Sequence, residues 1–244
     1  MKNCLKRNIP SKKEQNTRKE IIRAQQCRSY RTDGVIGFVD GNNKTGKEGR
    51  IANSVLVWNL PYIKTCPGAS ELCKSICYNA AYDINDNSDA NLLQYNEDKD
   101  QLMEYINEIL KCRLKHGKVI VRLHSEGDFF SEEYVRFWKE IISMNKEVGF
   151  WTYTKSWVIP EIRKELVELE RLDNINIYYS WDNTMGVKPN NHKLAILTYD
   201  IEEYINASKQ DVVICPEQYS MVRCCADCGI CITNKNNHIV FVTH

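Results

Sequence analysis

The sequence predicts an α/β fold: a partial (β/α)6 barrel of the TIM type with a cysteine-rich C-terminal segment. Three observations predict it. Short β-branched and aromatic runs recur at residues 54–58, 119–124, 148–154, 175–181, 194–198 and 212–215, each of strand length. Stretches with apolar residues at helical spacing separate several of them, and strands that alternate with helices imply a parallel sheet. Polar residues collect just after the runs, at the ends where such barrels build their sites.

Residues 1–50 form a basic arm and a loop. Up to residue 31 the arm holds ten Lys and Arg against Glu14 and Glu20, so the chain's formal charge of +1 hides an acidic body. The arm reads as a solvated tail, with weak nucleic-acid contact as the functional alternative. In the loop after Asp40, Lys44-Thr-Gly-Lys47 lacks the Gly-x4-Gly-Lys-Ser/Thr spacing of a phosphate-binding loop.

Residues 51–214 make the barrel. A helix is expected over 96–116, where Leu102, Ile106, Ile109 and Leu110 recur at helical spacing and Gly117 is placed to end it. Ser131 caps the next helix, with Glu132 and Glu133 in its first turn. Pro160 suits the first turn of the third, and Asp200 caps a short helix through Tyr204. Residues 215–244 form the cysteine-rich segment, with a last strand at 239–242. No run is long enough to cross a bilayer, and no apolar h-region follows the N-terminal charges. A cytoplasmic protein with no membrane contact is therefore expected.

Eleven cysteines are present, and eight fall in two sets, 66/73/77 and 215/224/225/228/231. An odd number in two clusters argues against a disulfide framework and for metal or cluster binding. The first set, Cys66-x6-Cys73-x3-Cys77, offers three thiolates on one loop. A four-iron cluster takes four ligands, so three would leave one iron open to another molecule. The second set offers Cys215, Cys228, Cys231 and either Cys224 or Cys225. Its Cys-x2-Cys-x2-Cys run suits an iron–sulfur cluster, and a zinc site is the rival. Cys4, Cys27 and Cys112 are read as unliganded. His124 reads as a buried, hydrogen-bonded histidine, and Trp157 and Trp181 as packing residues.

The order of parts is strand, three-Cys loop, helix, strand, Glu126-Gly127-Asp128 turn, helix, strand. It resembles the radical S-adenosylmethionine (SAM) superfamily over roughly residues 54–215. The loop spacing is longer than that superfamily's usual Cys-x3-Cys-x2-Cys. More closely, Thr65-Cys-Pro-Gly-Ala, Cys73-x3-Cys77-Tyr, His124-Ser-x-Gly-Asp-Phe-Phe, Tyr153-Thr-Lys-Ser-Trp157 and Cys225-Ala-Asp-Cys228-Gly-x-Cys231 resemble the phage-associated gene-product-88 family.

The resemblance implies a [4Fe-4S] cluster on Cys66, Cys73 and Cys77, with SAM bound at the fourth iron. Asp128, with the turn backbone at Glu126 and Gly127, would meet the methionine ammonium. Thr154, Ser156, Ser180 and Asp182 would contact its carboxylate or ribose, although Ser180 and Asp182 also read as ordinary strand-end residues. An electron donor such as flavodoxin or ferredoxin is then implied, with a substrate that the sequence does not name. The alternative is a phage-encoded, metal-stabilised binding protein without SAM chemistry, one partner of which could be nucleic acid.

Overall fold

The computed structural model describes residues 36–77, 86–200, 202, 204, 212–233 and 236–243. The basic arm, with Cys4 and Cys27, lies outside them, as does most of the helix expected after Asp200.

All seven expected strands form: β2 (Ser54–Trp58), β3 (Val119–Leu123), β4 (Gly149–Thr154), β5 (Ile175–Asp182), β6 (Leu194–Thr198), β7 (Val212–Ile214) and β8 (His238–Val242). A two-residue strand, β1 (Val39–Asp40), adds antiparallel to the edge of β2. The result is one eight-stranded, mostly parallel sheet in the order β1-β2-β3-β4-β5-β6-β8-β7. It is not a closed barrel, because β1 and β7 stand at its two edges. The sequential winding also breaks at its far side, where β8 inserts between β6 and β7, parallel to both.

The helices are α1 (Glu71–Ser75), α2 (Asp86–Glu97), α3 (Lys99–Leu114), α4 (Glu132–Met144), α5 (Pro160–Leu169), α6 (Cys225–Cys228) and α7 (Ile230–Thr233). The helix expected over 96–116 forms as α3, and α2, which precedes it, is a separate helix in a stretch read as a polar turn. Asp98 separates them: its carboxylate accepts from Gln101 N and caps α3, which satisfies an amide that has no partner within the helix. Ser131 caps α4 in the same way, as expected. No helix among the described residues is long and apolar enough to cross a membrane.

Side chains alternate across the sheet, and its two faces are covered differently. On one face Leu56, Trp58, Val121, Leu123, Phe150, Ile177 and Tyr179 meet Ile106 of α3, Trp138 of α4 and Leu166 of α5 in the main core. On the other, Val55, Ile120 and Trp151 pack with Cys224 and Ala226, and Tyr178, Ala195 and Ile239 pack with Cys215. The face that a barrel would turn inward is therefore covered by the cysteine-rich segment. Burying that face is one physical alternative to closing the sheet on itself.

Candidate functional site

The three-Cys loop leaves β2 and lies over the C-terminal ends of β2 to β5. Asn59 Oδ1 accepts from the amides of Ser125 (3.1 Å) and Glu126 (3.4 Å), which joins the exits of β2 and β3. Gly127 takes φ +76°, and a Cβ there would lie 2.6 Å from Leu60 Cβ and 2.7 Å from Thr65 Oγ1. Only glycine fits that approach. Gly68 is as tightly placed, since its Cβ would stand 2.2 Å from the Lys155 carbonyl oxygen. The loop thus rests directly on the turn that leaves β4.

Polar contacts tie the loop to β5 as well. Ser70 Oγ caps α1 by accepting from Cys73 N (3.1 Å) and donates to Asp182 Oδ2 (2.6 Å). Lys155 Nζ donates to the same oxygen at 2.7 Å. The Asp182 side chain is fully buried and that of Lys155 nearly so. Burial pushes the Asp182 carboxyl up, but hydrogen bonds from Lys155, Ser70 and Thr184 outweigh it and hold the group below the usual carboxylate range.

Asp128 does not face the loop as a free carboxylate. Its Oδ1 accepts from Phe129 N (2.7 Å), and its Oδ2 accepts from the amides of Lys155 (2.8 Å) and Ser156 (3.2 Å). It clamps the β3 turn to the β4 turn. Glu126 points elsewhere, accepting from Ser88 Oγ of α2 at 2.9 Å, and burial raises its pKa. Thr154 Oγ1 accepts from Ser156 N, and the Ser180 carbonyl accepts from Trp157 Nε1. Of the residues that the sequence singles out for a ligand, Asp128 raises both Cys66 and Cys73 by its charge, and Asp182 raises Cys73. Lys155 and Ser70, which join Asp182 there, were not singled out.

His124 is buried, as expected. Tyr134 Oη accepts from Trp58 Nε1 at 3.0 Å and stands 3.1 Å from His124 Nε2, to which it is left to donate. Desolvation holds the imidazole neutral, its pKa lowered to about 3. Trp157 is buried and Trp181 packs against the main core. Cys112, read as a lone thiol, is disulfide-bonded.

Cys66, Cys73 and Cys77 are half-buried free thiols close enough to influence one another. Burial pushes the Cys66 thiol up to about 12, and Asp128, Cys73 and Cys77 add to the effect. Burial raises Cys73 as well, against the opposing charge of Lys155. Among the described residues, no three His, Cys, Asp or Glu side chains are gathered tightly enough to hold a metal ion. Three thiols are nonetheless a soft donor set, and a bound cation would have to displace the protons that burial holds on them.

The second set is only partly brought together. Cys215, Cys225, Cys228 and Cys231 line one small cavity, with Lys44, Arg122, Tyr153 and Phe241 around it. Cys224 is left out. It is buried with Ala52, Val55 and Ala226, and a Cβ on Gly46 would come within 2.5 Å of its sulfur.

A family model described as gene product 88 matches residues 36–234. The chain belongs to the gene product 88 family. The match takes in all eight cysteines of the two sets. Among curated gene product 88 relatives, the Gene 88 protein of Mycobacterium phage L5 is 28% identical over 225 residues, covering 79% of this chain and 87% of that protein. The Gene 88 protein of Mycobacterium phage D29 is 27% identical over 218 residues, covering 79% and 88%. No solved structure matches. The matched descriptions carry a gene number and no reaction or cofactor.

Proposed function

We propose that this gene product 88 protein is an iron–sulfur enzyme of the radical SAM kind, with a [4Fe-4S] cluster on Cys66, Cys73 and Cys77. One observation carries the reading: three mutually interacting thiols sit on a single loop over the C-terminal ends of adjacent parallel strands. That is where open α/β sheets place their ligands. Such a cluster would supply the electron for reductive cleavage of the SAM sulfonium.

The chain's own residues then have distinct tasks. Gly68 and Gly127 let the loop lie flat on the strand ends. Asp128 fixes the β3 and β4 turns to each other and leaves the ammonium of a bound amino acid to other partners. Lys155, beside Cys73, presents a positive charge that suits the carboxylate of an amino-acid moiety, and Asp182, its own oxygens taken, holds the Lys155 ammonium in place. The taken oxygens of Asp128 favour a second reading, in which the metal centres only stabilise a binding protein and SAM is not used.

Anaerobic reconstitution with iron and sulfide, dithionite reduction and addition of SAM separate the two. Release of 5′-deoxyadenosine, lost in Cys73→Ala, is the expected result. A cluster whose spectrum SAM leaves unchanged, with no 5′-deoxyadenosine formed, would overturn the SAM reading and leave the second.

A further inference from the structure

The four thiols that line the cavity on the face opposite α3, α4 and α5 come from two places. Cys225-Ala-Asp-Cys228-Gly-Ile-Cys231 supplies three from α6 and α7, and Cys215, followed by Pro216, supplies the fourth from the end of β7. The compact run has the Cys-x2-Cys-x2-Cys spacing of bacterial four-iron proteins, in which a further cysteine also precedes a proline.

A single tetrahedral ion asks for a tighter gathering of sulfurs than a cluster does. Zn–S bonds of about 2.3 Å in a tetrahedron put the sulfurs roughly 3.8 Å apart, and no group that suits an ion exists among the described residues. A unit of several iron and sulfide atoms spreads its ligands wider.

The surroundings suit a centre with negative charge. Arg122 reaches in from β3, its guanidinium 4.9 Å from the centre of the Tyr153 ring. Its Nε is buried without a hydrogen-bond partner, and no carboxylate pairs with it among the described ion pairs. Tyr153 lines the cavity together with Cys231, where its hydroxyl can donate to a sulfur ligand. Burial pushes the Cys225 thiol up to about 11, with Arg122 and Lys44 opposing. Charge and hydrogen bonds to sulfur are among the features that set a cluster's potential.

We propose that Cys215, Cys225, Cys228 and Cys231 hold an iron–sulfur cluster of their own, that Arg122 and Tyr153 raise its reduction potential, and that Cys224 is a packing thiol. The assignment does not depend on SAM chemistry at the loop. Its test therefore uses the full chain carrying Cys73→Ala, which removes the loop site from the count.

Reconstituted anaerobically, that protein should retain about four iron and four sulfide and give a paramagnetic signal on reduction. Adding Cys228→Ala should remove both, and adding Cys224→Ser should remove neither. Should the Cys228 variant fold poorly, Arg122→Met and Tyr153→Phe keep every ligand. Each should bind the same iron at a lower reduction potential, because each removes an interaction that favours the more negative, reduced state. Stoichiometric zinc without sulfide, iron loss in Cys224→Ser equal to that in Cys228→Ala, or a potential unmoved in both Arg122→Met and Tyr153→Phe would overturn the proposal.

Discussion

The loop at the strand ends and the thiol-lined cavity on the sheet's face are built by opposite means. The loop is held by backbone fit and polar contacts: two glycines pressed on neighbouring chain, the Ser70 cap, and the Ser70–Asp182–Lys155 network. Its position would survive loss of the thiols. The cavity is framed by two helices of four residues each, neither able to stand alone. Small apolar clusters hold them down, and three of those clusters' members are themselves cysteines: Cys215, Cys224 and Cys231. Three thiols on a rigid frame leave room for chemistry, whereas four thiols in a core-poor segment can act as the frame.

The largest effect that would break this contrast is expected at Asp182. Asp182→Ala leaves the Lys155 ammonium buried without its carboxylate, a change that typically costs about 3–5 kcal/mol. Urea unfolding should show that loss, and alkylation of Cys66 and Cys73 should speed up while Cys215 stays protected. Equal exposure of both sets would mean that the two regions form one cooperative unit.

Gly68→Ala comes next. Its methyl would meet the Lys155 backbone, and overpacking of this kind costs about 1–3 kcal/mol. Faster labelling of Cys66 with unchanged labelling of Cys231 is the expected pattern.

Acid should weaken the strand-end region through His124. Its pKa is near 6.5 in the unfolded chain and about 3 in the folded one, so the unfolded state binds the extra proton first. Stability from this group is complete above 6.5 and falls by roughly 1.4 kcal/mol per pH unit as pH drops toward 3. Unfolding midpoints of His124→Gln should show a flatter acid limb than those of the wild type. The smallest effect belongs to the cavity rim. Lys44 and Glu217 pair at 3.6 Å with the lysine side chain 43% exposed, so Lys44→Met should change stability by about 0–1 kcal/mol.

The strands were legible because runs such as Val55-Leu-Val-Trp58 and Val119-Ile-Val121 are β-branched and apolar on both faces. The start of α3 was legible too, because Asp98 with Gln101 three residues on is a capping pattern, whereas α2 before it has too few apolar residues to show a helical stripe. Other features leave no local trace. Nothing in the sequence of β8 names β6 and β7 as its neighbours, because pairing partners are set by the whole sheet. Lys155 reads as a surface lysine until Asp182, 27 residues on, is seen opposite it. Cys224 and Cys225 are adjacent, so spacing cannot choose between them. The choice comes from the cavity, which Cys225 lines and Cys224 does not, its sulfur lying against Gly46 instead.

The insertion of β8 bears on the order in which the molecule can be completed on the ribosome. A chain made from its N-terminus at about 5–20 residues per second exposes β6 as a bare edge and leaves β7 unpaired until residues 238–242 emerge. Cys215, whose amide donates to the Val240 carbonyl at 2.9 Å, cannot take its place before then. A nascent chain arrested short of β8 therefore presents an unprotected edge, the state most prone to wrong pairing between copies.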